Sequence, residues 1–217
     1  METLPLVVSV NVGPARPTEH SDVGFTGIDK RPASGPVQVT VPGRGGSGLA
    51  GDVLCDTRFH GGVTQAVYAF AREDLDEWAS TLGRVLDNGV FGENLTTSGL
   101  DVTGAIVGER WRIGSALLEV TAPRIPCRTF AGWLGEQGWI KTFTKRAAPG
   151  AYLRVVEQGQ VRAGDSVTVL DQPSHGVSVG ESFRALTTAR DLLPRLLMVE
   201  SLADTARKRL GGESESE

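Results

Sequence analysis

The chain has 217 residues, 40% hydrophobic and 22% charged, a balance that can bury a sizeable core in one large domain with, at most, a small appendage. A formal net charge of −4 gives no global attraction to nucleic acid or to an anionic membrane, and no apolar run approaches the ~18 residues of a membrane span. The two cysteines, Cys55 and Cys127, lie too far apart for a C-x-x-C clip or a disulfide framework. The start, METLPLVVSVNVG, lacks a basic leader and cleavage site, so reduced thiols and a cytoplasmic location are expected.

In chain order, LPLVVSVNV reads as a first strand, an apolar run closed by Gly13. GIDKRPASGP, residues 27–36, is a turn-rich loop placing Lys30 and Arg31 ahead of a second strand in GPVQVTV. Cys55 falls among the strand-like residues of GDVLCDTRF and is assigned to core packing. FHGG, residues 59–62, follows. Paired glycines permit positive φ and let backbone N–H groups cradle an anion, while His60 can be a ligand, a proton donor or a capped turn residue.

QAVYAFA is a further strand, and AREDLDEWASTLGRVL is a helix. Leu75, Trp78, Ala79, Leu82 and Leu86 recur at one face of a 3.6-residue period. FGENLTT, residues 91–97, sets Glu93 and Asn94 between a glycine and a strand start, a pattern that also suits an Asx turn. WRIGSALLEVTA, AYLRVVEQG and DSVTVLDQP complete the strand-like runs, whose even spacing favours a largely β, barrel-like body over βαβ units. From Val177 to Leu210 glycines thin and leucines cluster, which predicts two or three short helices, with Ser201 capping the last. GGESESE reads as an acidic, disordered tail.

TAPRIPCRTF, residues 121–130, sets Cys127 after a proline at the end of a strand, with arginine nearby on each side. Residues 124–154 carry Arg124, Arg128, Lys141, Lys145, Arg146 and Arg154 against Glu136 alone. Such cations favour thiolate over thiol and hold anions, phosphate above all. The alternatives are a solvated basic face and a buried structural cysteine. Dinucleotide, P-loop, H-E-x-x-H and G-x-S-x-G motifs are missing, and three histidines make a multi-histidine metal site unexpected.

The ordered set GIDKRPASGPVQV, GLAGDVLCDTRFHGG, QAVYAFAREDLDEWA, FGENLTT, GERWRIGSALLEVTAPRIPC and PGAYLRVVEQGQVRAGDSV resembles the MOSC domain of molybdenum-cofactor sulfurases, in its small stand-alone bacterial form, over roughly residues 5–172. The resemblance implies a mainly β fold, a MOSC-type β-barrel over residues 1–172, followed by a C-terminal helical appendage at 173–210 and a tail at 211–217. It implies that the molybdenum cofactor, molybdopterin, is bound, with Cys127 as the metal's protein thiolate and Lys30, His60, Gly61, Gly62 and Asn94 around the pterin. Arg31 and Glu93 are added to the cofactor-binding set from their places in the same loops, and His60 or Glu93 is expected to relay protons. Arg124 and Arg128 join these residues through their charge and their place beside the cysteine. VTQAV departs from the family pattern at Thr64.

By resemblance, the expected activity is reduction of N-hydroxylated compounds such as hydroxylaminopurines or amidoximes. No iron–sulfur, flavin or nicotinamide motif is present, so electrons would come from a separate flavoprotein or ferredoxin-type reductase. Nucleic-acid and membrane partners are not expected. The alternatives are a cofactor carrier or sulfur-transfer protein without turnover, and a plain β-barrel binding domain.

Overall fold

The computed structural model describes residues 4–43, 45–58, 60–202 and 206. Twelve strands alternate with short helices. They are β1 (Leu6–Val12), β2 (Arg16–Pro17), β3 (Phe25–Thr26), β4 (Arg31–Pro32), β5 (Val37–Val39), β6 (Val67–Ala71), α1 (Arg72–Leu82), β7 (Leu95–Ser98), β8 (Arg110–Ile113), β9 (Ala116–Pro123), α2 (Arg128–Leu134), α3 (Trp139–Arg146), β10 (Ala151–Glu157), β11 (Gly159–Val161), β12 (Val167–Asp171), α4 (Val179–Thr187) and α5 (Leu193–Leu196).

Eight strands form one sheet in the order β12-β8-β9-β10-β6-β7-β1-β4, and β11-β5 and β2-β3 form two small ladders. The fold is mainly β, as expected, but the sheet is not a closed barrel. Its far side approaches β1 where Leu6 bridges Ser166, with Val7 N–H donating to Asp165 O, Gly164 N–H to Val7 O and Val167 N–H to Pro5 O. The ladders are antiparallel except for β6 and β7, which run parallel. They are joined by α1, so one βαβ unit exists where none was expected, because antiparallel hairpins need no helix but a parallel pair does. WRIGSALLEVTA is a hairpin, β8–β9, turning at Gly114, whose φ is +54°.

Along α1, Leu75 and Trp78 are fully buried, and Gly83 in the left-handed region ends the helix by donating to Ala79 O and Ser80 O. Leu86, the last residue of the sequence stripe, is buried beyond that stop. Helices α2 and α3 were not expected, because glycines at 132, 135 and 138 break their periodicity into seven- and eight-residue pieces. The surviving signal is one i, i+4 apolar pair in each: Phe130 with Leu134, and Trp139 with Phe143.

The interior has two parts. Aliphatic side chains fill the space enclosed by the sheet, while Phe70, Trp78, Phe91, Phe130, Trp139, Phe143 and Phe183 form an aromatic cluster beneath the helices. Edge-to-face contacts of 5.1 Å between Phe91 and Phe130 and 5.3 Å between Phe130 and Phe143 run through it. Helical structure follows the last strand. Ser178 caps α4 by accepting from Glu181 N–H at 3.1 Å, and α4 sends Phe183 into the aromatic cluster. Residues 203–205 and 207–217, which include the helix expected after Ser201 and the acidic tail, lie outside the described residues. No helix among the described residues is long and apolar enough to cross a membrane.

Candidate active site

Strand β9 ends at Pro123, and residues 124–127 carry the chain to the start of α2, where Cys127 is the N-cap with extended backbone. The cysteine therefore belongs to a loop-to-helix junction rather than to the strand end. It opens into a cavity of about 370 Å³, large enough for a ligand of cofactor size. Lys30, Cys55, His60, Gly61, Asn94, Arg124, Cys127 and Arg128 all contribute to its wall. Segments from five separate stretches of sequence thus converge on one space.

Cys127 is half-buried. Burial alone would push its thiol up, but a hydrogen bond with His60, the charges of Arg124 and His60 and the Phe130 N–H overcome it and bring the thiol down to about 6. At neutral pH it is a thiolate. Cys55 lies in the same cavity, which corrects its assignment to core packing. Burial pushes its thiol up, only partly offset by Lys30. Two thiols in one cavity thus differ in state.

Arg124 is buried at 6% exposure. Its guanidinium lies 4.4 Å from the Phe130 ring centroid and 5.0 Å from that of Tyr68, and Nη1 donates to Phe91 O at 2.7 Å. Its Nε has no hydrogen-bond partner, and no carboxylate among the described residues forms an ion pair with it. Buried cations are ordinarily balanced by an anion; this one lies in the field of the Cys127 thiolate and Glu93, and its Nε donates to no group among the described residues. Gly92 makes room for it. At φ +76°, a Cβ there would stand 3.4 Å from Nη1 and 2.9 Å from Ile28 Cγ1.

Lys30 is also buried, but it is paired with the Asp52 carboxylate. Burial lowers its affinity for a proton, against the pull of Asp52. Asn94 fixes the floor: Oδ1 accepts from Tyr68 N–H at 3.0 Å, and Nδ2 donates to Asp52 at 3.0 Å and Asn11 O at 3.2 Å. Tyr68 and Tyr152 stand together on the wall with ring centroids 5.2 Å apart. Sequence reasoning missed both tyrosines and Asp52, which carry no local motif and meet the site only through pairing of β6, β10 and the loop after β5.

The other sequence-selected residues fall outside the wall. Glu93 is fully buried and accepts from Gly89 N–H (2.5 Å), Phe91 N–H (3.0 Å) and Thr96 Oγ1 (2.9 Å), so its carboxylate shapes the turn that presents Asn94. Arg31 is exposed and pairs with Asp29 at 2.8 Å. Gly62 donates to Gly46 O at 3.1 Å, while Gly61, which does face the cavity, has no room for a side chain: a Cβ would lie 2.3 Å from Leu54 Cδ1. Thr64 offers its carbonyl to Thr121 Oγ1 at 2.6 Å.

The cationic island expected over 124–154 disperses in space. Arg146 pairs with Glu77, Arg154 with Glu119 and Arg128 with Asp22, while Lys141 and Lys145 are exposed on α3. Arg124 alone of the six is a buried cation in the cavity wall. Arg128 stands at the rim, where its Nε donates to His20 O at 3.3 Å and clasps the β2–β3 hairpin loop.

No group of three or more His, Cys, Asp or Glu side chains among the described residues could hold a metal ion. A single cavity thiolate suits instead a soft metal that brings further ligands of its own. An anionic pterin phosphate suits the unpaired Arg124 and the Lys30 ammonium, so these residues fit the cofactor that the sequence resemblance implied.

The comparisons with known proteins agree with this architecture. The chain is 33% identical over 174 residues to the uncharacterized protein YflK of Bacillus subtilis, covering 80% of this chain and 76% of that one. It is 26% identical over 174 residues to a protein named "Reductase" from Gibberella moniliformis, spanning 31% of that longer chain. Among solved structures, YiiM from Geobacillus stearothermophilus superposes with a TM-score of 0.79 at 24% identity, covering 96% of this chain and 98% of the other. YiiM from Escherichia coli gives 0.72 at 22% identity, covering 99% and 96%. The MOSC domain matches residues 56–168, more than half of the chain, and with these relatives it places the protein in the MOSC domain family.

Proposed function

We propose that this protein binds molybdenum cofactor in the Cys127 cavity and reduces N-hydroxylated compounds with electrons from a separate reductase. One observation carries the reading: a thiolate at Cys127 and an unpaired, buried guanidinium at Arg124 face the same cavity. MOSC membership is compatible with a function tied to that cofactor, and one relative is named a reductase.

Cys127 would supply the protein thiolate to the metal, and Arg124, Lys30 and Asn94 would hold the anionic pterin. When bound, the cofactor supplies two-electron redox chemistry at molybdenum, which the polypeptide lacks. Tyr68 and Tyr152 would flank the ligand and narrow access of water. His60, bonded to the cysteine sulfur, is the cavity group placed to hold a proton and pass it to the substrate nitrogen or oxygen. Glu93, with its carboxylate committed to the turn, is not such a group.

The test is turnover of an amidoxime or hydroxylaminopurine with reduced methyl viologen as artificial donor. Wild type is expected to form the amidine or amine, and Cys127→Ser to lose that activity. Cofactor-loaded protein that never turns over any N-hydroxylated substrate would favour the second reading, a carrier or sulfur-transfer protein, which the same thiolate would serve. Loaded protein that turned over with NADPH alone would contradict the need for a separate reductase.

A further inference from the structure

Asp52 sits outside the cavity wall, yet four donors from four stretches of chain converge on its carboxylate. Oδ1 accepts from Gly13 N–H at 3.1 Å and from the Lys30 ammonium, and Oδ2 accepts from Ser47 Oγ at 2.6 Å and Asn94 Nδ2 at 3.0 Å. Its side chain is 1% exposed, and that of Lys30 4%. Three of the donors, Lys30, Ser47 and Asn94, line the cavity.

We propose that Asp52 is a positioning residue: it aims Lys30 and Asn94 into the cavity and holds the Lys30 ammonium charged for an anionic ligand. The inference rests on the cofactor-binding reading and adds to it the residue that makes Lys30 usable. A buried ammonium without a countercharge sheds its proton. The charged groups facing Lys30 are Asp52 and Glu93, which favour the ammonium, and Arg124, which opposes it, with the Cys55 thiol within its field. Burial already draws the lysine below its ordinary value, and Asp52 is the largest influence in the other direction. Removing that carboxylate therefore moves proton loss to lower pH. Anion holding at Lys30 would thus be lost at a lower pH than in wild type.

Two readouts test this in the intact protein. The chain has four lysines, so the Lys30 side-chain NMR signal can be assigned by comparison with Lys30→Met and titrated. Its midpoint is expected to fall in Asp52→Asn relative to wild type. Protein made in a cofactor-overproducing host is dialysed at about pH 7 and about pH 9.5, and pterin is counted per chain. Asp52→Asn is expected to lose about tenfold more pterin than wild type at the higher pH, with a smaller difference at the lower. A Lys30→Met/Asp52→Asn double variant removes both charges together. It is expected to melt close to wild type and still retain little pterin, which separates positioning from folding.

An unchanged Lys30 midpoint, equal pterin loss at both pH values, or wild-type pterin in the double variant would each overturn the assignment. Wild type without pterin would instead defeat the cofactor reading, while the lysine titration would still decide the role of Asp52.

Discussion

At Cys127, burial works against the thiolate while His60 and Arg124 work for it, and the second influence prevails. Alkylation by iodoacetamide should therefore follow a titration with its midpoint at about 6, whereas Cys55 in the same cavity should react only above the ordinary thiol range. His60→Ala should move the Cys127 midpoint upward, and mass spectrometry of the two peptides reads both sites in one sample. An unshifted midpoint would mean that His60 does not support the thiolate. The sign for stability follows. The folded thiol loses its proton at lower pH than the unfolded one, so its contribution is present above the unfolded value and lost as pH falls through about 6. Cys127 was legible from its own flanks, because a proline and two arginines are local text. Arg124 was legible as a charge but not as the one buried, unpaired cation of its run. Asp52, Tyr68 and Tyr152 were illegible, since only long-range strand pairing brings them to the site.

Between elements, the β2–β3 hairpin loop forms one side of the cavity and is tied to α2. His20 O accepts from Thr129 Oγ1 at 2.9 Å, and the His20 ring fits where Gly132 lacks a side chain. A Cβ at Gly132 would stand 2.1 Å from that ring. Gly132→Ala should therefore cost about 1–3 kcal/mol in denaturant melts. It should also speed alkylation of Cys127 as the hairpin is pushed off. Unchanged stability and reactivity would contradict this packing. On α1, Asp74 is half-buried, and desolvation raises its carboxyl to about 6 against the pull of Arg146. The folded state keeps a proton that the unfolded state has shed, so stability falls as pH rises from about 4 to about 6. Asp74→Asn should be more stable than wild type at pH 7 by about 1 kcal/mol, after allowance for partial exposure, and indistinguishable near pH 4. Helix α1 was plain in the sequence because its stripe persists for three turns. Helices α2 and α3 were hidden because each is two turns long and bounded by glycine.

Across the whole molecule, the aromatic cluster links the helices to the cavity wall: Trp78 and Trp139 approach to 4.6 Å, and Phe130 carries Arg124 on its face. Trp139→Ala should cost about 3–5 kcal/mol in a denaturant melt, and a loss below 1 kcal/mol would contradict the burial seen here. The mainly β class was readable from short, glycine-bounded apolar runs. Strand order was not, because β1 pairs with β7 and β6 with β10 through contacts far apart in the chain, and the far side of the open sheet approaches β1 at the Leu6–Ser166 bridge. The same topology brings the loops after β2, β3, β5 and β9 to one cavity, and so determines what the protein can bind. The most direct test is molybdenum and pterin per chain, measured together in wild type and Cys127→Ser from a cofactor-overproducing host. Near-stoichiometric metal and pterin are expected in wild type, with Cys127→Ser losing metal while Arg124 and Lys30 retain pterin. Folded wild type carrying neither, or Cys127→Ser carrying undiminished molybdenum, would contradict it.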